Sequence, residues 1–360
     1  MNPEHRVTQQ DVANIVGVNR STVSLALKNH PSIPEATRQK IREAAAELGY
    51  TPDPMLSSLA AYRTRGNPQT YHGTLAWLVN NIPPFQWDEC GMFLQNYLGA
   101  KNRAAIYGYS LETFDLQALQ MSQARLAGVL RSRNISGILL CPQPRPNTRL
   151  DFPFEYFSSV TIGYSLRSPR LHTVSPSQFR AMVLTMQELY KLGYQRIGFA
   201  YMSDTDERVG HNFLAGYLVE SHINAPHVRI PPEDAKKLDP ARLKKWVSKY
   251  KIDAIVVESP VLKMVKAAGI RCPEDLGVAS ASLSPDNKHE LAGVMESSYH
   301  AGEVAVDFIV AQIQQGFRGI PDQARQIHIE GKWVPGPSLR QVGESKLREI
   351  VDFTGITEHA

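Results

Sequence analysis

The chain has 360 residues, 42% hydrophobic and 21% charged, values of a soluble globular protein with room for two or three domains and a sizeable core. Its 39 basic residues stand against 35 acidic ones, and a net charge of +4 is too small for a surface that grips polyanions everywhere. No apolar run is long enough for a membrane helix, the first residues lack a secretion-signal core, and Cys90, Cys141 and Cys272 form no CxxC pair. These features speak against membrane insertion, secretion, a disulfide framework and a structural zinc site, and they predict a cytoplasmic protein.

Half of the small excess of positive charge, +2, lies in residues 1–66, with 8 Lys and Arg against 6 Asp and Glu. That bias suits one phosphate-facing patch. The same region reads as three short helices. Thr8-Gln9-Gln10-Asp11 is a capping box ahead of Val12, Ala13, Ile15 and Val16, and Gly17 ends the helix. Asn19 is a good cap for a second helix from Arg20 to about Asn29. On it Val23, Ala26 and Leu27 share one face, and Ser21, Ser24, Leu25 and Lys28 another. Ser32-Ile33-Pro34-Glu35 is expected to cap a third helix buried through Ile41, Ala44, Ala45 and Leu48 and closed by Gly49.

Tyr50-Thr51-Pro52-Asp53-Pro54 cannot be helical throughout, because each proline pushes its predecessor toward extended geometry. Helical character returns from Met55 to about Arg63, too short to stand alone, and a linker by composition follows, Thr64 to Pro68. From Tyr71 onward, strands at Thr74–Val79, Ser110–Phe114, Gly137–Cys141, Val160–Gly163, Arg196–Ala200, Ala254–Val257 and Gly277–Ala281 alternate with helices. The helices are expected at Met92–Ile106, Phe179–Leu192, Phe213–Ser221, Ala241–Tyr250 and Ala301–Gln315. This βαβ rhythm predicts doubly wound parallel sheets, in one large domain or two similar lobes.

Two helices joined at a glycine, the second with a polar face, form a helix-turn-helix candidate whose second helix can enter the major groove; a plain helical bundle shares that pattern. The order of residues adds a resemblance. Val7 to Ala13, Gly17-Val18-Asn19-Arg20-Ser21-Thr22-Val23-Ser24, Thr37 to Ile41 and Leu48-Gly49-Tyr50-Thr51-Pro52 closely resemble the lactose/galactose repressor family. The resemblance continues through Leu192 to Phe199, Ala215-Gly216-Tyr217, Pro273 to Val278 and Ala301 to Ala305, covering about residues 6–338. It implies a helix-turn-helix DNA-binding head over 1–50, a hinge helix and linker over 51–68, and a two-lobed core over 69–338. That core would be periplasmic-binding-protein-like, bind an effector and dimerise. Residues 339–360 lie beyond the resemblance.

By the same resemblance Thr8, Gln9, Gln10, Asn19, Arg20, Ser21, Ser24, Leu25, Lys28, Thr37, Tyr50 and Leu59 are the DNA-contacting set. Arg20 and Ser21 would read base edges, Lys28 would sit near phosphates, and Leu59 would wedge into the minor groove. Leu25 stands where many members carry Arg, so it would touch a thymine methyl or else join the core. Asp53 and Pro54 replace more usual Asn and Arg residues, and Asp53 is expected to cap the hinge helix.

The effector pocket is expected between the lobes at the carboxyl ends of the strands, with Asn80, Phe85, Gln86, Arg208, Glu258 and Ser282 as its contacts. Glu258 and Ser282 replace the Asn and Asp of the family, and Phe213 replaces an Arg. Arg208 either supplies the lost guanidinium or is a solvated loop residue, and Asp204, Asp206 and Glu207 read as a solvated acidic loop. His211 is the one pocket-region histidine, more readily read as a surface residue. The expectation is a regulator, most simply a repressor, that binds a pseudopalindromic double-stranded DNA operator as a homodimer under control of a small carbohydrate-like effector. It needs no cofactor or metal. No phosphate loop, HExxH, GxSxG or dinucleotide motif signals an enzyme. The alternative is a cytoplasmic solute-binding protein whose helical head contacts another protein.

Overall fold

The computed structural model describes residues 7–27, 32–50, 73–83, 85–118, 121–258, 260–284 and 288–347. The head opens as its capping box predicts. The Thr8 hydroxyl accepts from the Asp11 amide at 3.4 Å, and the Asp11 carboxylate accepts from the Thr8 amide at 2.7 Å, starting α1 (Gln9–Val16). Gly17, at φ +71°, turns the chain toward α2 (Arg20–Leu27). The third helix, α3 (Glu35–Glu47), has Pro34 at its N-cap, two residues after Ser32. Proline serves there because its fixed φ is ready for the helix entrance. Val12, Ala13, Val23, Ala26, Ile41, Ala44 and Ala45 close a core that belongs to the head alone.

The remaining chain builds two lobes. In the first, β1 (Gly73–Val79), β2 (Tyr109–Asp115), β3 (Gly137–Leu140), β5 (Ser158–Ile162), β7 (His172–Pro176) and β13 (Gln326–Ile329) form a parallel sheet in the order β13-β7-β5-β3-β1-β2. In the second, β8 (Ile197–Tyr201), β9 (Glu233–Asp234), β10 (Ala254–Val257), β11 (Gly277–Leu283), β12 (Ala292–Met295) and β14 (Lys332–Val334) run in the order β14-β12-β11-β10-β8-β9, with only β14 antiparallel. A small ladder of β4 (Thr148–Arg149) and β6 (Leu166–Ser168) flanks them. The central strands are buried along their whole length, as in β10 (Ala254–Val257), because helices cover both faces of each sheet.

The lobed alternative therefore holds. Every strand read from the sequence is present within two residues of its expected ends, whereas β4, β6, β7, β9, β12, β13 and β14 were not anticipated. The principal helices are α4 (Gly91–Ile106), α5 (Gln123–Ser132), α6 (Gln178–Lys191), the short α7 (Ser203–Arg208), α8 (Asn212–Asn224), α9 (Pro240–Tyr250), α10 (Pro260–Ala267) and α11 (Ser298–Gln315). Helix α11 crosses α4 closely: a Cβ on Gly99 would collide with the Tyr299 carbonyl, and one on Gly302 with that of Asn96.

The chain passes between lobes three times, from β7 into α6, from β12 into α11, and from β13 to β14. These crossings are laced together. The Ser297 hydroxyl donates to the Glu330 carbonyl at 3.1 Å, and Arg180 pairs with the Glu330 carboxylate at 3.4 Å. The tail beyond Ser338, without a reading in the sequence, runs over the end of α6. Its Val342 and Lys346 amides donate to the Leu192 and Tyr190 carbonyls at 2.9 and 2.8 Å. Gly193 is obligatory beneath it, because a Cβ there would lie 2.7 Å from the Gly343 nitrogen.

Candidate DNA-reading helix and interlobe cleft

On α2, Arg20 and Ser21 are exposed in the first turn, Ser24 and Leu25 are half-buried beside them, and Val23 and Ala26 point into the head core. Leu25 stays outside the apolar cluster that Leu27 joins, so the polar face carries an apolar side chain of its own. Asn19 is exposed at the start of α2, and its carbonyl accepts from the Val23 amide at 3.1 Å. Thr8 is held in the capping box, Gln9 is half-buried, and the Gln10 amide donates to Asn14 at 3.0 Å. Thr37 is half-buried in the first turn of α3, and Tyr50 packs its ring against the head core. Lys28 and Leu59, with the hinge and linker over 51–68, lie outside the described residues.

Between the lobes is a cleft of about 300 Å³ at the carboxyl ends of both sets of strands. Three of the six expected contacts line it: Arg208, Glu258 and Ser282. Glu258 follows β10, Ser282 lies near the end of β11, and Glu296 follows β12, so three neighbouring strands deliver them side by side. Strand spacing puts the backbones that carry the two glutamates about 10 Å apart, with the strand of Ser282 between.

The other three expected contacts lie elsewhere. Asn80 is buried and occupied: it donates to Gln143 at 2.9 Å and accepts from Gln117 at 2.8 Å. Phe85 packs edge-on to Phe93 at 5.6 Å, and Gln86 is exposed beside Trp87. The loop after β1 carries Pro83 and Pro84, and its ring seeks the apolar flank of the first lobe. The acidic loop also needs correction. Residues 203–208 form α7, and Asp206 is only 5% exposed. Its carboxylate accepts from the Leu214 amide at 3.2 Å and meets His211 Nδ1 at 3.1 Å, capping α8.

Arg208 is not a solvated loop residue. Its guanidinium leaves the second lobe and covers the Phe93 ring of the first at 5.2 Å. Ser282 reaches the Met92 sulfur at 3.8 Å, and Asn147 donates to Glu207 at 2.8 Å, so three contacts tie the lobes across the opening. An aromatic ladder, Tyr217 to Phe199 to Tyr201 to Phe213, leads into the cleft with ring centroids 5.2, 4.9 and 4.9 Å apart. Its last two rings line the wall.

The charged lining is two carboxyls, Glu258 and Glu296, against one cation, Arg208, among hydroxyl groups. Burial pushes the Glu258 carboxyl up to about 7, aided by Asp204 and Asp206, while the Met202 amide and Arg208 pull it back. Burial likewise raises Glu296 to about 7 against the opposing bonds from Ser282 and Gln178 and the charge of Arg208. Glu296 and Gln178 stand on two of the three interlobe crossings. Sequence reasoning missed Glu296, Gln178 and Asn96. The β12 run Ala292-Gly293-Val294-Met295 is too short to announce a strand, and so its carboxyl end went unread.

Residues 8–53 match the family of bacterial regulatory proteins described as the lacI family. Over 328 residues, 86% of this chain and 91% of the relative, the sequence is 24% identical to the HTH-type transcriptional repressor CytR of Escherichia coli K12. Over 58 residues, 16% of this chain and 17% of the relative, it is 45% identical to the probable HTH-type transcriptional repressor ExuR of Bacillus subtilis. Among solved structures, a complex of the transcriptional regulator CelR with cellobiose superposes with TM-score 0.56 and 19% identity over 92% of this chain and all of that one. The lac repressor dimer bound to operator and the anti-inducer ONPF gives TM-score 0.56 and 17% identity over 93% of this chain and all of that one.

Proposed function

Starting from a chain that carries the DNA-binding head of the lacI family of bacterial regulatory proteins, we propose that it is a sequence-specific transcriptional repressor controlled by a small molecule. The observation that carries this reading is the joining of two parts in one chain. A helix with Arg20 and Ser21 exposed precedes a two-lobed core whose cleft is lined from both sides. The protein acts as a homodimer, each α2 entering the major groove of one half of a pseudopalindromic operator. Arg20 pairs with a guanine edge, Ser21 and Leu25 read neighbouring positions, and Lys28 contacts phosphate. Thr8, Gln9, Gln10, Asn19, Ser24, Thr37 and Tyr50 set the head on the backbone, and the paired segments around Leu59 open the minor groove at the centre.

The effector is carbohydrate-like and binds in the cleft against Arg208, Glu258 and Ser282. CelR is described in complex with cellobiose, a sugar. Binding shifts the balance between open and closed lobes and, through the hinges, operator affinity; an effector can do this only by its different affinity for the two states. The cleft is a sensor and not a catalytic centre, in keeping with relatives named as transcriptional regulators. No helix among the described residues is long and apolar enough to cross a membrane, and the place of action is the cytoplasm, where the DNA is.

Selection of bound fragments from sheared genomic DNA by the full-length protein, at two salt concentrations, tests the proposal. It predicts an enriched palindrome that survives the higher salt. Recovery of fragments with no common sequence and a steep loss with salt would overturn it.

A further inference from the structure

The cleft is unbalanced in both charge and hydrogen bonding. Its lining contains one cation, Arg208, and two carboxyls, Glu258 and Glu296. Neither carboxyl has a cation within ion-pair distance among the described residues, and Arg208 is turned onto the Phe93 ring. A third acceptor stands among them. Asn96, 4% exposed, lines the same cavity, and its Oδ1 accepts no hydrogen bond from the protein. A buried acceptor without a donor is unfavourable, and a ligand that brings N–H groups would satisfy it.

Resting on the effector reading above, we propose that the ligand of this cleft is an amine-bearing sugar or polyol, with its ammonium held by Glu258 and Glu296. Asn96 accepts from a second polar hydrogen of the ligand. The rings of Tyr201 and Phe213 face the C–H surfaces of the sugar, and Arg208 closes over the site from α7. A neutral sugar of the same shape would leave two desolvated carboxyls to share the single charge of Arg208, and so the cleft favours the amine. Glu296 also explains how the amine is sensed. It sits at the crossing into α11 and bonds Gln178 at the crossing into α6, so charge arriving there acts where the lobes are joined.

The acidity of the site sets its pH dependence. Around Glu258 stand Asp204, Asp206, Arg208 and Lys236, the last paired with Asp204; around Glu296 stand Arg208, Ser282 and Gln178, and the Tyr201 hydroxyl feels both glutamates. Both carboxyls ionise near neutral pH, so the site is charged above that range and largely protonated below it. Affinity for an ammonium therefore rises as pH rises through about 7.

The test is calorimetry and thermal unfolding of the full-length protein with matched probes. These are glucosamine, N-acetylglucosamine and glucose, and the galactose set, at a pH below neutrality and at one just above it, where the probe's own amine still carries its proton. At the higher pH at least one free amine is expected to bind about tenfold or more tighter than both its acetylated and its neutral counterpart. That preference should shrink at the lower pH and vanish in Glu258→Gln and Glu296→Gln. Equal binding of a neutral sugar, or no thermal shift by any free amine at millimolar concentration, overturns the proposal. Should one glutamine variant fail to fold, the other variant and the acetylated probe still decide the role of charge. A neutral sugar that binds and alters operator selection sinks the amine inference and leaves the repressor reading standing. A selection without a palindrome sinks the repressor reading itself.

Discussion

Arg208 of the second lobe lies over Phe93 of the first, its guanidinium carbon 5.2 Å from the ring centroid. One side chain thus both lines the cleft and bridges it. Arg208→Ala should lower the stability of the core by about 0.5–2 kcal/mol in urea unfolding, the range of such contacts from exposed to desolvated. It should also let the lobes separate, seen as a larger radius of gyration in solution scattering. An unchanged radius together with unchanged stability would remove Arg208 as a latch.

The head predicts a separate effect. Arg20→Ala should cost about 1–3 kcal/mol of discrimination at one base pair of each half-site, while affinity for random DNA changes little. Titrations against operators altered one base at a time would show a single position losing its preference. A uniform loss across all sequences would make Arg20 a phosphate contact instead.

Leu59 is expected to wedge open the centre of the operator. Leu59→Ala should therefore weaken specific binding far more than nonspecific binding and reduce the bend measured by energy transfer between labelled DNA ends. An operator bent and bound as before would end the wedge assignment.

Much of this was legible in the chain. The capping box at Thr8 and Asp11 and the glycine turn at Gly17 use local chemistry that is written in consecutive residues, and both are present. Strands such as Ala254–Val257 are apolar without interruption and buried on both faces, so they stand out. The less legible elements are those whose burial depends on distant chain. Strand β7 is His-Thr-Val-Ser-Pro and takes its place by pairing with β13, some 150 residues away in the sequence. The cleft followed the same division. Glu258 and Ser282 came from the resemblance at the ends of legible strands and lie in the cleft; Arg208 lies there too, although its helix was read as a loop, and Glu296 went unread with the unrecognised β12. Asn80, Phe85 and Gln86 lie away from the cleft lining, and local sequence cannot say which way a loop turns its side chains; for Asn80 and Phe85, Gln143 and Phe93 decide that.

Where α4 and α11 cross, the backbones approach too closely for any side chain at Gly99 or Gly302. Gly302→Ala should destabilise the core by about 1–3 kcal/mol or more through overpacking, with the head unaffected. Separate unfolding transitions for head and core in calorimetry would report it. A gain in stability, as expected for Ala in an unobstructed helix, would show that the helices can move apart freely.

Stability should depend on pH through the cleft carboxyls. Glu258 and Glu296 have folded values raised to about 7 from an ordinary 4.5, so the folded state holds their protons more tightly than the unfolded chain does. Their contribution is fully present below pH 4.5 and is lost as pH rises through about 7. His172, with its value lowered by burial, acts in the opposite sense. The double variant Glu258→Gln, Glu296→Gln isolates the carboxyls: its stability relative to the parent should grow from about pH 5 to pH 8 in urea titrations. A constant difference over that range would contradict the raised values.

The distribution of the last strands along the chain has a consequence for synthesis. The first lobe's sheet waits for β13 (Gln326–Ile329), the second for β14 (Lys332–Val334), and α6 for its clasp from Val342 and Lys346. The head, by contrast, closes its core with residues 12–45. On the ribosome the core of the head can therefore close while most of the sensor is still unmade. Such a nascent head is monomeric and untethered to any effector. On the repressor reading, its grip on DNA is expected to be weak by itself, so that only the finished pair of chains occupies an operator.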